Sequence, residues 1–393
     1  MTRIFINFTK GKNLNSLKEI ILSRSNPLNP YGSPQRCHKM QEINIDQATQ
    51  IRQSEELNRE ILNGYLKSQL SDFEDIMDIS QFSGGYSNLT YLVKTVSKEY
   101  VLRRPPFGAN IKSAHDMGRE YKVLSLLKPH YPNVPQPIIF CEDESVMGCQ
   151  FYMMERVKGV IFRGKDAAKL QIPEQQMRQL SENLIDNLAD LHLLDIEKTG
   201  LINLGKPEGY VLRQVEGWIG RYEKSQTDDI PAMVQTADWL RKNMPRKQPP
   251  AFLHNDYKYD NVLLNPEDIT EILGVLDWEM STVGDPLMDL GASLAYWCES
   301  GDGDFLKSFN VTWLAGNLTR NEVVERYAIK TGRDVSDILF YYVFGLYKNI
   351  VIMQQIYARW KAGLTKDPRF GGLIYGIHEL SKMAVRAIER GKI

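Results

Sequence analysis

No two of the four cysteines, Cys37, Cys141, Cys149 and Cys298, stand at the short spacings that build zinc sites or thiol redox motifs. Neither chemistry is expected, and the thiols read as reduced and mostly buried in a cytoplasmic chain. Net charge is nearly absent too, because 48 basic residues meet 49 acidic ones for a formal charge of -1. There is no global basic field to gather nucleic acid or an anionic membrane, so small-molecule chemistry is the better expectation. Nor does the chain contain an unbroken apolar run of the ~18 residues that a membrane span needs. Its most apolar stretch, ILFYYVFGLYKNIVIMQQIY, is cut by Lys348, Asn349 and two glutamines and reads as a buried core helix. Internal repeats and low-complexity tracts are missing as well.

What is there divides into three. Residues 1–41 carry seven Lys or Arg against one acidic residue, Glu19, with scattered Ser and Asn. This composition suits a disordered leader and faintly resembles a transit peptide. Met40 offers an alternative start, and a chain begun there is expected to fold and work. Residues 42–156 read as a sheet-rich N-terminal lobe and 157–393 as a larger helical lobe, a division that 393 residues can support with two cores. In the first lobe an amphipathic helical stretch near 47–69 precedes three antiparallel strands, with turn residues at Gly84-Gly85 and Ser97-Lys98-Glu99. A helix is expected through HDMGREYKVLSLL, then strands at PIIFCED and CQFYMMERV. From about residue 174 helical patterns take over. The exception is FLHNDYKYDNVLLN with its sequel EILGVLDWEMSTVGD, whose apolar runs flank the turn-like NPEDIT and read as a hairpin. Such pairing would set Asn261 beside Asp277.

The polar middle of FLHNDYKYDNVLLN is either a solvated turn or a catalytic loop. Phosphoryl transfer from a nucleotide needs backbone donors over the phosphates, a cation on them, oxygen ligands for magnesium and a carboxylate facing the acceptor hydroxyl. Each part has a candidate. SGGYSN, formed by Ser83, Gly84, Gly85, Tyr86, Ser87 and Asn88, lies between two strands, where glycines allow close backbone approach; a plain hairpin tip has the same look. Arg103 and Arg104 point to opposite faces of the next strand, and Arg103 shares the parity of Val101. An ion pair from Arg103 to Glu120 on the following helix would hold a cation on the phosphates. Asp256 and Asn261 stand five apart, so one loop can offer a carboxylate to a hydroxyl while Asn261 and Asp277 give hard oxygens to magnesium. His254 reads as a loop brace, His192 as a packed helical histidine, and Asp285 and Asp289 as cap and turn residues that orient the catalytic segment. Trp218 and Tyr222 fit an acceptor pocket and core packing equally.

Through FSGGYSNLTYLV, YVLRRPPFG, HDMGREYKVLSLL, FLHNDYKYDNVLL and VLDWEMSTVGDPLMDLG, the chain resembles the aminoglycoside phosphotransferase and choline kinase family of the protein-kinase-like fold. Within that family CEDESVMGCQFYMMERVKG and GYVLRQVEGWIGRYEKSQTDDIPAM are most similar to the kinase-like domain fused ahead of acyl-CoA dehydrogenases. The resemblance implies an α+β, two-lobe fold with a small antiparallel-sheet N-lobe and a mainly helical C-lobe. It implies Asp256 as catalytic base, Asn261 and Asp277 as magnesium ligands, Arg103 in place of the usual lysine, and Glu155 in the linker where backbone groups meet adenine. The expected activity is ATP- and Mg2+-dependent phosphorylation of a small-molecule hydroxyl. The alternative is a pseudokinase that binds nucleotide or acts as a scaffold, its catalysis lost with the Arg103 exchange. Between Lys206 and Lys247 eight basic residues face six acidic ones, which suits a neutral or anionic acceptor better than a polycationic aminoglycoside. Solvated helix faces explain the same charges. The resemblance implies a hydroxyacyl-CoA as acceptor.

Overall fold

The computed structural model describes residues 46–82, 88–107, 116–164, 169, 171–365 and 367–393. The expected leader, Cys37 and Ser83 to Ser87 lie outside them. A six-stranded antiparallel sheet forms the first lobe: β1 (Ala48–Thr49), β2 (Asp78–Phe82), β3 (Leu89–Lys94), β4 (Glu99–Arg104), β5 (Pro137–Cys141) and β6 (Phe151–Glu155), in the order β1-β2-β3-β4-β6-β5. Because strand side chains alternate, the sheet feeds two cores. Leu102, Tyr91, Val93 and Met153 pack with Leu62 and Leu66 of α1 (Arg59–Gln69). Val101, Tyr152 and Met154 face the other way, toward Val123, Leu124 and Leu127 of α2 (Met117–Leu127). A single turn, α3 (Glu144–Met147), links β5 to β6.

The helix expected near 47–69 is shorter than its pattern. Asn58 caps it by accepting from the Ile61 N–H, so α1 begins at Arg59. Upstream, Ala48 and Thr49 pair with β2, and the Arg52 N–H donates to the Gln81 side chain at 2.9 Å.

The second lobe holds α4 (Glu174–His192), α5 (Tyr210–Ser225), α6 (Pro231–Lys242), α7 (Pro286–Tyr296), α8 (Asp304–Phe309), α9 (Arg320–Thr331), α10 (Ile338–Lys361) and α11 (Leu373–Arg390). Two small sheets are set among them. The expected hairpin is present as β8 (Val262–Leu264) on β9 (Ile272–Val275), with Val262 opposite Val275. A second pair, β7 (Ala251–Leu253) with β10 (Thr282–Gly284), went unread because three-residue strands carry too little alternation to recognise. The apolar stretch forms α10, buried nearly all round, and no helix among the described residues is long and apolar enough to cross a membrane. Glycines let α10 run tight against α7: a Cβ at Gly291 would strike the Tyr341 carbonyl, and one at Gly345 the Gly291 carbonyl. That crossing carries Asp289 and Lys348 up to the loop between β7 and β8.

Candidate active site

The loop His254 to Asn261 is held from below. Asp289, fully buried, accepts the backbone N–H groups of His254 at 2.6 Å and Asn255 at 2.8 Å, and pairs with His192 Nε2 at 3.1 Å. Burial alone would raise its carboxyl; the hydrogen bond and charge of His192, with the His254 N–H, hold it below the ordinary value. His254 braces the loop sideways. Its Nε2 lies 2.9 Å from the Leu276 carbonyl, and its Nδ1 accepts the Asp256 N–H at 3.2 Å, which fixes the Nε2–H tautomer. Among the described non-glycine residues only Ser54, Asn255 and Asp277 have left-handed φ, at 69°, 65° and 67°. Two of the three flank the cleft, the sort of strain that a framework must hold in place.

Asp256 is gripped at both oxygens. Lys258 Nζ donates at 3.0 and 2.9 Å, and Asn261 Nδ2 donates to the Asp256 carbonyl at 2.8 Å and to Oδ2 at 2.9 Å. Burial pushes the Asp256 carboxyl up, but Lys258 and the buried Lys348 outweigh it and keep the group below the usual carboxylate range. It is therefore ionised at neutral pH. Across the hairpin end, the Leu276 N–H donates to the Asn261 carbonyl at 2.8 Å, which brings Asn261 alongside Asp277.

From the first lobe Arg103 reaches into the same cleft. It bridges Glu120 and Asp277 at 3.3 Å each, and Glu120 also accepts the Tyr152 hydroxyl at 2.6 Å. Arg104, of opposite parity, stacks over Phe107 on the other face. Asn88 spans the lobes, donating to Glu279 at 3.1 Å and Glu120 at 3.5 Å. One oxygen from each of Glu120, Asp277 and Glu279 lies within 4.8 Å of the others. These three carboxylates offer the hard oxygen donors that a divalent cation takes, with Arg103 among them. Arg103 Nε is buried and has no hydrogen-bond partner among the described residues, an orphan that a phosphate oxygen would satisfy. Helix α2 is tied down by Arg119, whose Nη2 donates to the carbonyls of Leu204 and Ser281 at 2.7 Å each.

These groups line a cleft of about 790 Å³ that includes Arg103, Tyr152, Glu155, Asp256, Asn261 and Asp277. That volume lies in the range of small-molecule and cofactor sites. Glu155 sits at its rim, its N–H donated to the Gln136 carbonyl at 2.9 Å and its side chain accepting the Gln136 N–H at 2.8 Å. The structure thus brings Asp256, Asn261, Asp277, Arg103, Glu120, Asn88 and Glu155 to one cleft and its rim; Ser83, Gly84, Gly85, Tyr86 and Ser87 fall outside the described residues. Sequence reasoning passed over Lys258, although it stands two residues from Asp256, and gave Glu279 no site role. Tyr296 and Lys348, which approach Asp256 from α7 and α10, leave no local signal.

Three comparisons bear on this geometry. A family model described as "Phosphotransferase enzyme family" matches residues 78–323. Acyl-CoA dehydrogenase family member 10 of Mus musculus is 32% identical over 327 residues, 82% of this chain and 30% of that protein. Acyl-CoA dehydrogenase family member 11 of Gallus gallus is 32% identical over 357 residues, 87% of this chain and 44% of that protein. The chain spans less than half the length of either relative. A crystal structure of a Ralstonia eutropha protein named for aminoglycoside phosphotransferase activity superposes with a TM-score of 0.74 at 28% identity, covering 85% of this chain and 99% of that one.

Proposed function

The chain belongs to the phosphotransferase enzyme family and is a phosphotransferase with an alcohol group as acceptor; we propose that its donor is ATP with Mg2+ and that its acceptor is the hydroxyl of a hydroxyacyl-CoA. The observation that carries the nucleotide reading is the cleft itself. Asp256, ionised and braced, lines the same cleft as Arg103, which bears an orphaned guanidinium nitrogen, and as Asp277 of the carboxylate cluster. Asn261 and Asp277 would hold the metal, with Glu279 near enough to assist, and the metal would neutralise charge on the phosphates. Arg103, locked by Glu120, would lie on the phosphates. Its planar fork makes directional contacts where a lysine would act as a point charge.

In the transfer step the acceptor oxygen forms its bond to the γ-phosphorus as the bond from that phosphorus to the bridging oxygen of ADP breaks. Asp256 takes the hydroxyl proton, and Lys258 and Asn261 keep its carboxylate aimed. The pseudokinase alternative finds no support, since base, oxygen donors and cation all meet at one cleft. For the acceptor, the support is likeness to proteins named as acyl-CoA dehydrogenases. The test is an ATP-consumption assay across hydroxyacyl-CoAs, aminoglycosides, choline and sugars, with phosphorylated product identified by mass spectrometry and Asp256→Ala as control. Hydroxyacyl-CoA is expected to be turned over fastest. Faster turnover of an aminoglycoside would overturn the acceptor, and ATP consumption that survives Asp256→Ala would overturn the base.

A further inference from the structure

Beside the catalytic loop lies a second cavity of about 280 Å³. Asn255 is in its wall, one residue from Asp256. Four cationic side chains line it, Lys206, Arg213, Arg221 and Lys348, and no Asp or Glu does. None of the four makes an ion pair among the described residues. The rest of the insert's basic side chains behave differently where partners are seen: Arg241 is bidentate to Glu216 at 2.9 and 2.8 Å, Lys247 meets Glu208 at 3.0 Å, and Arg246 meets Asp334 at 3.0 Å. Those three charges are neutralised on the surface, whereas among the described residues Lys206, Arg213 and Arg221 meet no carboxylate and Lys348 feels only the more distant Asp256 and Asp289.

The cavity cations are also held in place. The Arg221 guanidinium stacks on the Trp218 ring, 4.5 Å from its centroid. Arg213 donates to the backbone carbonyls of Lys206 and Glu208. Lys348 is 4% exposed and donates to the Asn255 carbonyl at 2.5 Å. Burying an ammonium is costly unless charge answers it; burial lowers the Lys348 pKa, against the pull of Asp256 and Asp289. Met280, Met288 and Phe344 supply apolar wall between the cations. The volume sits just below the range of drug-sized sites, room enough for one anionic group with a short chain.

We propose that this cavity binds the anionic group of the acceptor, a carboxylate or a phosphate, beside the catalytic loop, and so selects acidic over neutral and cationic alcohols. The proposal rests on the phosphotransferase reading of Asp256 and deepens it. Charge-assisted contacts from fixed Arg and Lys side chains are the means of selection.

The experiment compares kcat/KM for hydroxyhexanoate, its methyl ester, a hydroxyacyl-CoA and the matching hydroxyacyl-pantetheine. The wild-type protein is expected to favour at least one anionic member over its neutral counterpart by 10-fold or more. An acid preferred over its ester assigns the cavity to a carboxylate, and CoA preferred over pantetheine assigns it to a phosphate. Arg221→Gln should cut that preference by about 10- to 100-fold, chiefly through KM, as loss of a charged hydrogen bond predicts. Arg241→Gln, on the outer face, should change it less than twofold. Equal use of neutral and anionic partners by the wild type, or a preference that survives Arg221→Gln, overturns the proposal. Calorimetric titration of hydroxyhexanoate and of inorganic phosphate into the wild type and Arg221→Lys separates the two readings. Anion binding without turnover of any acceptor would fail the kinase assignment and keep the cavity, whereas absence of binding by either probe together with equal turnover would fail the cavity alone.

Discussion

Two cavities flank one loop, one lined by charges of both signs and the other by cations alone. The lining of the larger, about 790 Å³, balances five acidic with five basic side chains, and at the lobe junction Asp277, Glu120 and Glu279 gather about Arg103; the smaller, about 280 Å³, has four cations and no carboxylate. Neighbouring residues, Asp256 and Asn255, face one each. The difference teaches that this protein sorts charge by position on a strained loop and not by bulk composition, which is close to neutral. The acidic cluster at the lobe junction is the proposed seat of a dication and its nucleotide, and the basic cavity is the proposed seat of an anion. Lys348 lies between the two and is attracted by Asp256 and Asp289 while it lines the basic side.

The strongest way to break this picture is to remove the proposed base. Asp256→Ala should lower turnover by about 10²- to 10⁴-fold with little change in nucleotide affinity. An unchanged rate would leave the acidic side without its chemical role. Next in size is Arg103→Met, which strands Glu120, with a side chain only 3% exposed, as an uncompensated buried charge. About 3–5 kcal/mol of stability should be lost, read from urea unfolding, and Arg103→Met combined with Glu120→Gln should restore most of it. Failure of the double variant to recover would show that the pair is not the unit that matters.

Asp277→Ala removes an oxygen donor from the acidic side and should weaken magnesium-nucleotide binding by roughly 10- to 100-fold in a calorimetric titration. The same titration without magnesium should show a much smaller change, and equal losses in both would argue against a metal role. The smallest effect concerns the brace beneath both cavities. Asp289→Asn should cost about 1–3 kcal/mol at neutral pH by weakening the bonds to the His254 and Asn255 N–H groups. The folded carboxyl is held below its ordinary value of about 3.9, so its contribution is present above that pH and is lost as pH falls through the depressed value. Thermal melts of the two proteins should therefore converge below about pH 4, and a constant gap down to the lowest pH would count against a charged Asp289.

Much of the cleft was legible because its parts follow local rules. The strand period of 2 put Arg103 with Val101 and sent Arg104 the other way, as the Glu120 and Phe107 contacts bear out. Turn residues and apolar runs marked the hairpin that sets Asn261 beside Asp277. The start of α1 was misplaced because the apolar spacing of 47–58 imitates a helix, while the Asn58 cap and the long-range partner Gln81 decide otherwise. The insert's charges misled in a different way: eight basic residues look alike in a sequence, yet Arg241, Arg246 and Lys247 are paired on the surface and only Lys206, Arg213 and Arg221 reach the cavity.

By itself the sequence determined the lobes' element types, the order of the cleft residues and the polar loop between two short apolar runs. These depend on periodicity and on neighbours a few positions apart. Only the tertiary structure decided which cations line the smaller cavity and which helices guard Asp256. Lys348 lies 92 residues beyond Asp256 and Tyr296 lies 40 beyond it. They meet the loop because Gly291 and Gly345 allow α7 and α10 to pack within backbone contact, a consequence of side-chain volume that no local pattern encodes.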